Sequence, residues 1–313
     1  MKVGVIMGGI SSEREISLKS GESVLNSIDT NKYDVVKIVI DKKEDIINKV
    51  KDEKIDFALL VLHGQFGEDG TVQSVLQSLD IPYSGCGPLS SAACMDKDMT
   101  KSLLKAAGVR TAPWINLRNI SELDYEAIEE LGYPVVIKPT HGGSSVATFI
   151  VKEKSEVLNA VEEGFKWDSE VMIEKFIKGE EITCPILADE MYPVIAIKPN
   201  AEFFDFAAKY NDGGSDEFII ELEKDLHKEV EEMALATYRA LKCAVYARVD
   251  MIITEEKVPY ILEVNTLPGM TKNSLFPKSV AGRNMSYSEL IDRIIEESMK
   301  EKREFYINYK ERF

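Results

Sequence analysis

Two runs around residue 250 alternate with the period of a β-strand, and a polar turn joins them. The first, 246–253, carries Arg248-Val249-Asp250. The second, 258–264, leads into Glu263-Val264-Asn265-Thr266-Leu267-Pro268-Gly269-Met270-Thr271, with Thr254-Glu255-Glu256-Lys257 between them. Side chains alternate faces along a strand, so the register of such a hairpin decides what each face presents. Pairing Ile253 with Val258 sets Arg248 opposite Glu263 and Asp250 opposite Ile261. Arg248, Asp250, Glu263 and Asn265 then share one face, while Val249, Met251, Ile253, Leu262 and Val264 share the other. A chain with such a hairpin must bury one face against a core and open the other to a ligand.

Carboxylate and amide oxygens are hard donors that suit Mg²⁺, which keeps waters or phosphate oxygens to complete its octahedron. Zinc does not fit this donor set. The irregular segment after Asn265 adds Gly269, where the backbone can approach a ligand closely and offer an N–H to an oxyanion. The face therefore reads as a magnesium and phosphate site, against the alternative of an ordinary hairpin with solvated charges.

The chain has 313 residues, 44% of them hydrophobic, enough for two or three cores. Its formal net charge of −16 argues against nucleic acid as a general partner, although local lysines leave room for a nucleotide. No stretch approaches the roughly 18 apolar residues of a membrane span. The start Met1-Lys2-Val3-Gly4-Val5-Ile6-Met7-Gly8-Gly9 is too short for a signal peptide, so a cytoplasmic protein is expected. Cys86, Cys94, Cys184 and Cys243 form no C-x-x-C pair and are expected to be buried and reduced.

Residues 2–7 read as a buried strand ending at Gly8-Gly9, and Ser12-x-x-Glu15 as a capping box opening a helix to about residue 27. Strand runs at 35–40 and 57–62 alternate with helical stretches at 43–53 and 69–79, the pattern of a doubly wound parallel sheet. Ligands gather at the carboxyl ends of such strands. Glu13 and His63-Gly64 are thus candidate contacts, His63 lying in His63-Gly64-Gln65-Phe66-Gly67-Glu68-Asp69-Gly70, whose glycines suit a tight loop over a site.

A helix over 96–107, another over 122–131 and strands at 134–138 and 146–151 follow. The last two flank Pro139-Thr140-His141-Gly142-Gly143-Ser144-Ser145, a glycine-rich turn able to cover phosphates. Taken alone it is also an ordinary Gly/Ser hairpin, and neither G-x-x-x-x-G-K-[ST] nor G-x-G-x-x-G occurs. Beyond a helix at 153–163 and a strand at 171–174, Lys175-Phe176-Ile177-Lys178-Gly179 leads to Glu181. The remainder reads as strands at 181–187 and 191–198, a polar loop at 205–217, a helix at 222–241, the hairpin, and a helix capped by Ser286-x-x-Glu289. Three domains are expected: 1–95, 96–179 and 180–313.

Glu13 after Gly8-Gly9, His63-Gly64, Lys97 after Met95-Asp96, Lys138-Pro139, Gly143-Ser144-Ser145, Lys209-Tyr210, Arg248-x-Asp250 and Glu263-x-Asn265-Thr266 occur in this order. In that combination the chain resembles the bacterial D-alanine–D-alanine ligases of the ATP-grasp superfamily from Val3 to about Leu290. The resemblance implies an α/β ATP-grasp fold of three domains, with an N-terminal Rossmann-like parallel sheet and nucleotide bound between the central and C-terminal domains. It implies ATP-dependent joining of two D-alanines through a D-alanyl phosphate, for peptidoglycan precursors.

Under that resemblance Lys97, Lys138 and Ser145 contact ATP phosphates, Glu174 and Glu181 hold the adenine amine and the ribose hydroxyls, and Lys175, Phe176 and Ile177 form the hinge of the nucleotide site. Asp250, Glu263 and Asn265 bind Mg²⁺, for which Mn²⁺ substitutes, and K⁺ activation is an open expectation. Glu13 pairs with the first D-alanine's ammonium near His63, and Arg248 and the Gly269 N–H stabilise the oxyanion. Lys209, Ser274 and Leu275 contact the second D-alanine. Ser144 and Tyr210 bond with Glu13 and fasten a lid at 205–217. A homodimer with no nucleic-acid or membrane partner is implied. The rival readings are another ATP-grasp ligase, a depsipeptide ligase using D-lactate, and a nucleotide-binding regulator with a dead site.

Overall fold

The parallel core strand at the N-terminus is built from an uninterrupted apolar run, as a strand covered on both faces requires. In the computed structural model, which describes residues 1–143, 146–199 and 215–303, β1 (Lys2–Gly8) is buried from Val3 onward. β2 (Asp34–Ile40) and β3 (Phe57–Leu60) flank it in the parallel order β2-β1-β3, with Val3 beside both Val35 and Phe57. The Ser17 hydroxyl ties the carboxyl ends together, accepting the Gly8 N–H at 2.9 Å and donating to the Val61 carbonyl at 2.6 Å.

The helix after β1 spans Arg14–Leu25, and the expected capping box at Ser12 and Glu15 does not form. Glu13 is its N-cap residue, yet its side chain makes no capping bond; Ser11 organises the turn by accepting the Glu13 N–H at its hydroxyl. The Glu13 carboxylate is thereby turned away from capping. The box at Ser286 and Glu289 does form, opening the helix Tyr287–Lys300.

A second, antiparallel sheet has the order β4-β7-β5-β6, from Trp114–Leu117, Val171–Lys175, Val135–Pro139 and Phe149–Val151. The helices Tyr125–Leu131 and Lys154–Gly164 accompany it. In the third sheet β8 (Glu180–Leu187) pairs with β9 (Glu190–Met191), β10 (Ile195–Pro199) and β12 (Tyr246–Ile253). β11 (Ser215–Ile219) and β13 (Pro259–Asn265) form the ends of its main path. The polar loop expected at 205–217 thus ends in a strand from Ser215, and 205–214 lie outside the described residues.

The hairpin register differs from expectation. Ile253 pairs with Pro259, Arg248 with Asn265 and Asp250 with Glu263, and a bulge falls between Asp250 and Met251. Leu262 is the extra residue, because Asp250 faces Glu263 while Met251 faces Ile261. The insertion lets Val264 and Ile261 both enter the core, although an odd number of positions separates them. The four polar residues still share a face, in adjacent cross-strand pairs.

Candidate active site

The fixed end of the site lies on β12. The Arg248 guanidinium grips Asp250 like a fork, Nε to Oδ1 at 2.9 Å and Nη2 to Oδ2 at 2.7 Å, and the Thr183 hydroxyl donates to Oδ1 at 2.6 Å. Asp250 is buried and Thr183 fully so, which stiffens the cluster. On β13, Glu263 remains partly exposed, and the Asn265 amide oxygen accepts the Leu267 N–H at 3.1 Å, starting the irregular segment. Three oxygen-bearing side chains on one face suit a hard divalent cation by chemistry. Among the described residues no three His, Cys, Asp or Glu side chains converge at metal distance, and both Asp250 oxygens are turned to Arg248 and Thr183.

The lysines arrive from the second sheet's side. Lys97 opens the helix Lys97–Ala106, donates to the Gly142 carbonyl at the base of the glycine-rich turn, and lies 3.9 Å from Glu263 Oε2. Lys138, on β5, donates to Glu174 Oε1. Glu174, on β7, is buried between Lys138 and Lys101, whose ammonium sits 2.8 Å from Oε2. Burial alone would raise this carboxyl, but the two flanking cations overcome it and hold the pKa down at about 2. Burial pushes Lys101 downward, with Glu174 opposing it.

The first sheet contributes the third wall. Gly64 has φ +70, and a Cβ there would lie 2.6 Å from Glu13 Oε2; one at Gly143 would lie 3.8 Å from the same oxygen. The Glu13 carboxylate therefore lies between the His63 loop and the glycine-rich turn. His63 is buried, with Nδ1 3.1 Å from the Leu267 carbonyl and Nε2 3.3 Å from the Ser20 hydroxyl. A carbonyl only accepts, so Nδ1 carries the proton and Nε2 accepts from Ser20. Burial lowers the His63 pKa against the pull of Glu13, in keeping with a neutral ring. Glu68 receives the Gly64 N–H at 2.6 Å, and burial followed by Glu13 drives its carboxyl well upward.

The segment after Asn265 is pinned between these walls. The Met270 N–H points at Ser20 Oγ at 3.4 Å, and Tyr287 donates its hydroxyl to the Met270 carbonyl. Gly269 packs closely here: a Cβ would stand 2.9 Å from Ser274 Oγ, so that hydroxyl would have to turn aside. Ser274 is the N-cap residue of Leu275–Ala281, and its hydroxyl lies 2.7 Å from that of Thr271. On the hinge, Lys175 N–H binds the Pro113 carbonyl and Phe176 N–H that of Pro134, while the Lys175 ammonium reaches the Leu131 carbonyl at 3.1 Å. Ile177 follows, and Glu181 lies on β8 opposite Ile197 of β10.

The structure thus brings Glu13, His63, Lys97, Arg248, Asp250, Glu263, Asn265, Gly269 and Ser274 into one neighbourhood, with Lys138 and Glu174 on the second sheet. Ser144, Ser145, Lys209 and Tyr210 lie outside the described residues. Lys101, Glu68 and Ser20 escaped sequence reasoning. Lys101 follows Lys97 by one helical turn, a spacing that could have flagged a second inward lysine. Ser20 carried no signal.

Two family models match the chain: D-ala D-ala ligase N-terminus over residues 2–54 and 43–86, and D-ala D-ala ligase C-terminus over 103–296. The D-alanine–D-alanine ligase of Clostridium botulinum (strain Eklund 17B / Type B) is 76% identical over 300 residues, covering 96% of this chain and 99% of that one. Among solved structures, the D-alanine–D-alanine ligase from Bacillus anthracis complexed with ATP superimposes with a TM-score of 0.88 at 48% identity, covering 96% and 98% of the two chains. The VanG D-Ala:D-Ser ligase from Enterococcus faecalis gives 0.81 at 33% identity, covering 95% and 99%. With this agreement in sequence across nearly the whole length and in fold, the chain belongs to the D-alanine–D-alanine ligase family.

Proposed function

We propose that the protein uses ATP to join two D-alanine molecules into D-alanyl-D-alanine, the dipeptide of peptidoglycan precursors, in the cytoplasm. The carrying observation is the meeting of two walls: Lys97, at the head of its helix, stands 3.9 Å from Glu263 of the oxygen-rich hairpin, with Glu13 and His63 forming a third wall. In the first step a carboxylate oxygen of D-alanine attacks the γ-phosphorus and the bond to ADP breaks, giving D-alanyl phosphate. The amine of a second D-alanine, having lost a proton, then attacks the acyl carbon and phosphate departs.

Lys97 and Lys138 offset phosphate charge, and Ser145 is assigned to the phosphates with them. Glu174, Lys175, Phe176, Ile177 and Glu181 hold the adenosine. Glu13 receives the first D-alanine's ammonium, and a neutral His63 does not repel it. Arg248 and the Gly269 N–H stabilise the oxyanion, a role in which one donor is worth roughly 10²–10³ in turnover. Ser274, Leu275 and Lys209 grip the second D-alanine, and Ser144 and Tyr210 act with Glu13 beneath a lid at 205–217. Asp250, Glu263 and Asn265 would hold Mg²⁺, or Mn²⁺ in its place. When bound, it offsets charge on the phosphate oxygens. K⁺ activation, a homodimer and the division at 95 and 179 belong to the same reading.

The test is mass spectrometry of products formed from ATP, Mg²⁺ and mixtures of D-alanine, D-serine and D-lactate at neutral pH. D-alanyl-D-alanine with ADP and phosphate is expected to dominate. A predominant D-alanyl-D-serine or depsipeptide product would overturn the acceptor assignment, and no ADP release on adding D-alanine would overturn the reaction.

A further inference from the structure

Lys101 is fully enclosed, and its ammonium is held by two hydrogen bonds and one ion pair. It donates to Thr111 Oγ1 at 2.8 Å and to the Ala112 carbonyl at 3.0 Å, and it stands 2.8 Å from Glu174 Oε2. The Thr111 hydroxyl in turn donates to the Ile261 carbonyl at 2.9 Å, anchoring the arrangement to the hairpin bulge. Enclosed by these groups and paired with a buried carboxylate, Lys101 is not exposed to a phosphate. Lys138 differs: it is less enclosed, and Glu174 Oε1 is its carboxylate partner.

We infer that Lys101 is a positioning residue for nucleobase selection, holding Glu174 ionised and oriented toward the adenine 6-amino group while Lys138 serves the phosphates. This rests on the proposed roles of Glu174 and Lys138. A buried carboxylate whose only cation is shared with a phosphate loses charge density as an acceptor. A second cation that cannot leave keeps it a strong one. The division explains why one buried carboxyl is flanked by two lysines of unequal freedom. Lys101 itself touches no part of the nucleotide.

The experiment compares equilibrium binding of ATP and of purine riboside 5′-triphosphate, which lacks the 6-amino group, to the full chain and to Lys101→Met. For the unmodified protein ATP is expected to bind about tenfold more tightly, the value of one charge-assisted hydrogen bond. In Lys101→Met that ratio falls toward one, through loss of ATP affinity alone. Equal weakening of both nucleotides, or a retained ratio, would overturn the inference and leave Lys101 a packing residue. A ratio near one in the unmodified protein would instead overturn the Glu174 assignment beneath it.

If Lys101→Met fails to melt cooperatively, ¹⁵N-lysine ammonium spectra of the unmodified protein decide. Adding ATP should shift the Lys138 signal and leave that of Lys101 in place. A Lys101 signal that moves with Lys138 would refute the division of roles.

Discussion

The second sheet and the other two are stabilised in different ways. Leu117, Ile128, Val135, Ile137, Val151, Val157, Val161, Val171 and Ile173 form a core of their own within the second. The first sheet has no such independence: Val3, Ile6, Leu60 and Leu62 share one cluster with Tyr246, Phe276, Leu290, Ile291, Ile294 and Ile295 from the far end of the chain. The Tyr246 and Phe276 rings meet edge to face at 5.6 Å inside it. Chain order therefore misstates the mechanical units. The N- and C-terminal parts make one base, into whose third-sheet core Leu104 and Val109 also pack, and the second sheet is a body with a core of its own. Lys97 with Glu263 and Thr111 with Ile261 add polar contacts to the base.

The largest expected effects come from the base, which carries most of the polar hairpin. Glu263→Ala and Asp250→Ala should each abolish ADP release while circular dichroism stays folded. They should differ in stability. Asp250 is buried against Arg248 and Thr183, so its loss strands a guanidinium and should cost about 3–5 kcal/mol, whereas partly exposed Glu263 should cost under about 1 kcal/mol. Arg248→Ala should lower turnover roughly 10²–10³-fold. Turnover at the parent level in any folded variant would remove that residue from the site.

The division into base and middle can be broken by core truncation. Ile173→Ala and Ile294→Ala each empty a fully buried position and should cost about 2–5 kcal/mol. Hydrogen exchange should separate them. Ile173→Ala should speed exchange within 114–175 and spare β1 and β12, while Ile294→Ala should speed it in both of those strands together. Matching exchange maps for the two variants would show a single cooperative body.

Much of this was legible in the residues. Continuous apolar runs announced the parallel sheet, whose strands are covered on both faces, and Ser286 with Glu289 announced the last helix, whose capping bonds are local. The shared polar face of Arg248, Asp250, Glu263 and Asn265 was legible too. Its register was not, since a bulge at Leu262 is fixed by the demand that Ile261 and Val264 both be buried, which is a property of the packed sheet. Ser12 and Glu15 matched a capping box that tertiary contacts of Ser11 and the Glu13 turn displaced. The strand from Ser215 reads as a polar loop until β10 is there to pair with it. Lys101 and Ser20 acquire their partners only from distant segments, which no local pattern reveals.

A smaller effect tests how the base holds its own loop. Ser20→Ala removes the hydroxyl that donates to His63 Nε2 and receives the Met270 N–H, a loss of about 0.5–1.5 kcal/mol per bond. The Gly269 N–H should then be less well aimed. We expect a several-fold drop in kcat with little change in the KM for ATP, measured by coupled ADP release. A change confined to the KM for ATP would contradict this link.

The smallest effect belongs to the middle body. His141, at the start of the glycine-rich turn, lies with Nδ1 3.1 Å from the Asp168 carboxylate and Nε2 3.5 Å from Asp96, and its backbone N–H binds Asp168 at 2.6 Å. The Asp168 hydrogen bond raises the His141 pKa above its ordinary value, while Asp168, despite burial that opposes it, is lowered chiefly by His141. A raised histidine contributes stability that is complete below its unfolded pKa, near 6.5, and fades as pH rises through the folded value. A lowered carboxyl contributes above its unfolded pKa, near 4, and fades as pH falls. The charged pair is therefore strongest between about pH 4 and 6.5, and its partial exposure limits it to about 1 kcal/mol. His141→Gln keeps the backbone bond to Asp168 and removes the charge, so the variant should melt roughly 2 °C below the parent near pH 5.5 and level with it by pH 9. A gap that stays constant from pH 5 to 9 would show that His141 acts there by shape and hydrogen bonding, with its charge contributing nothing to the anchoring of the turn.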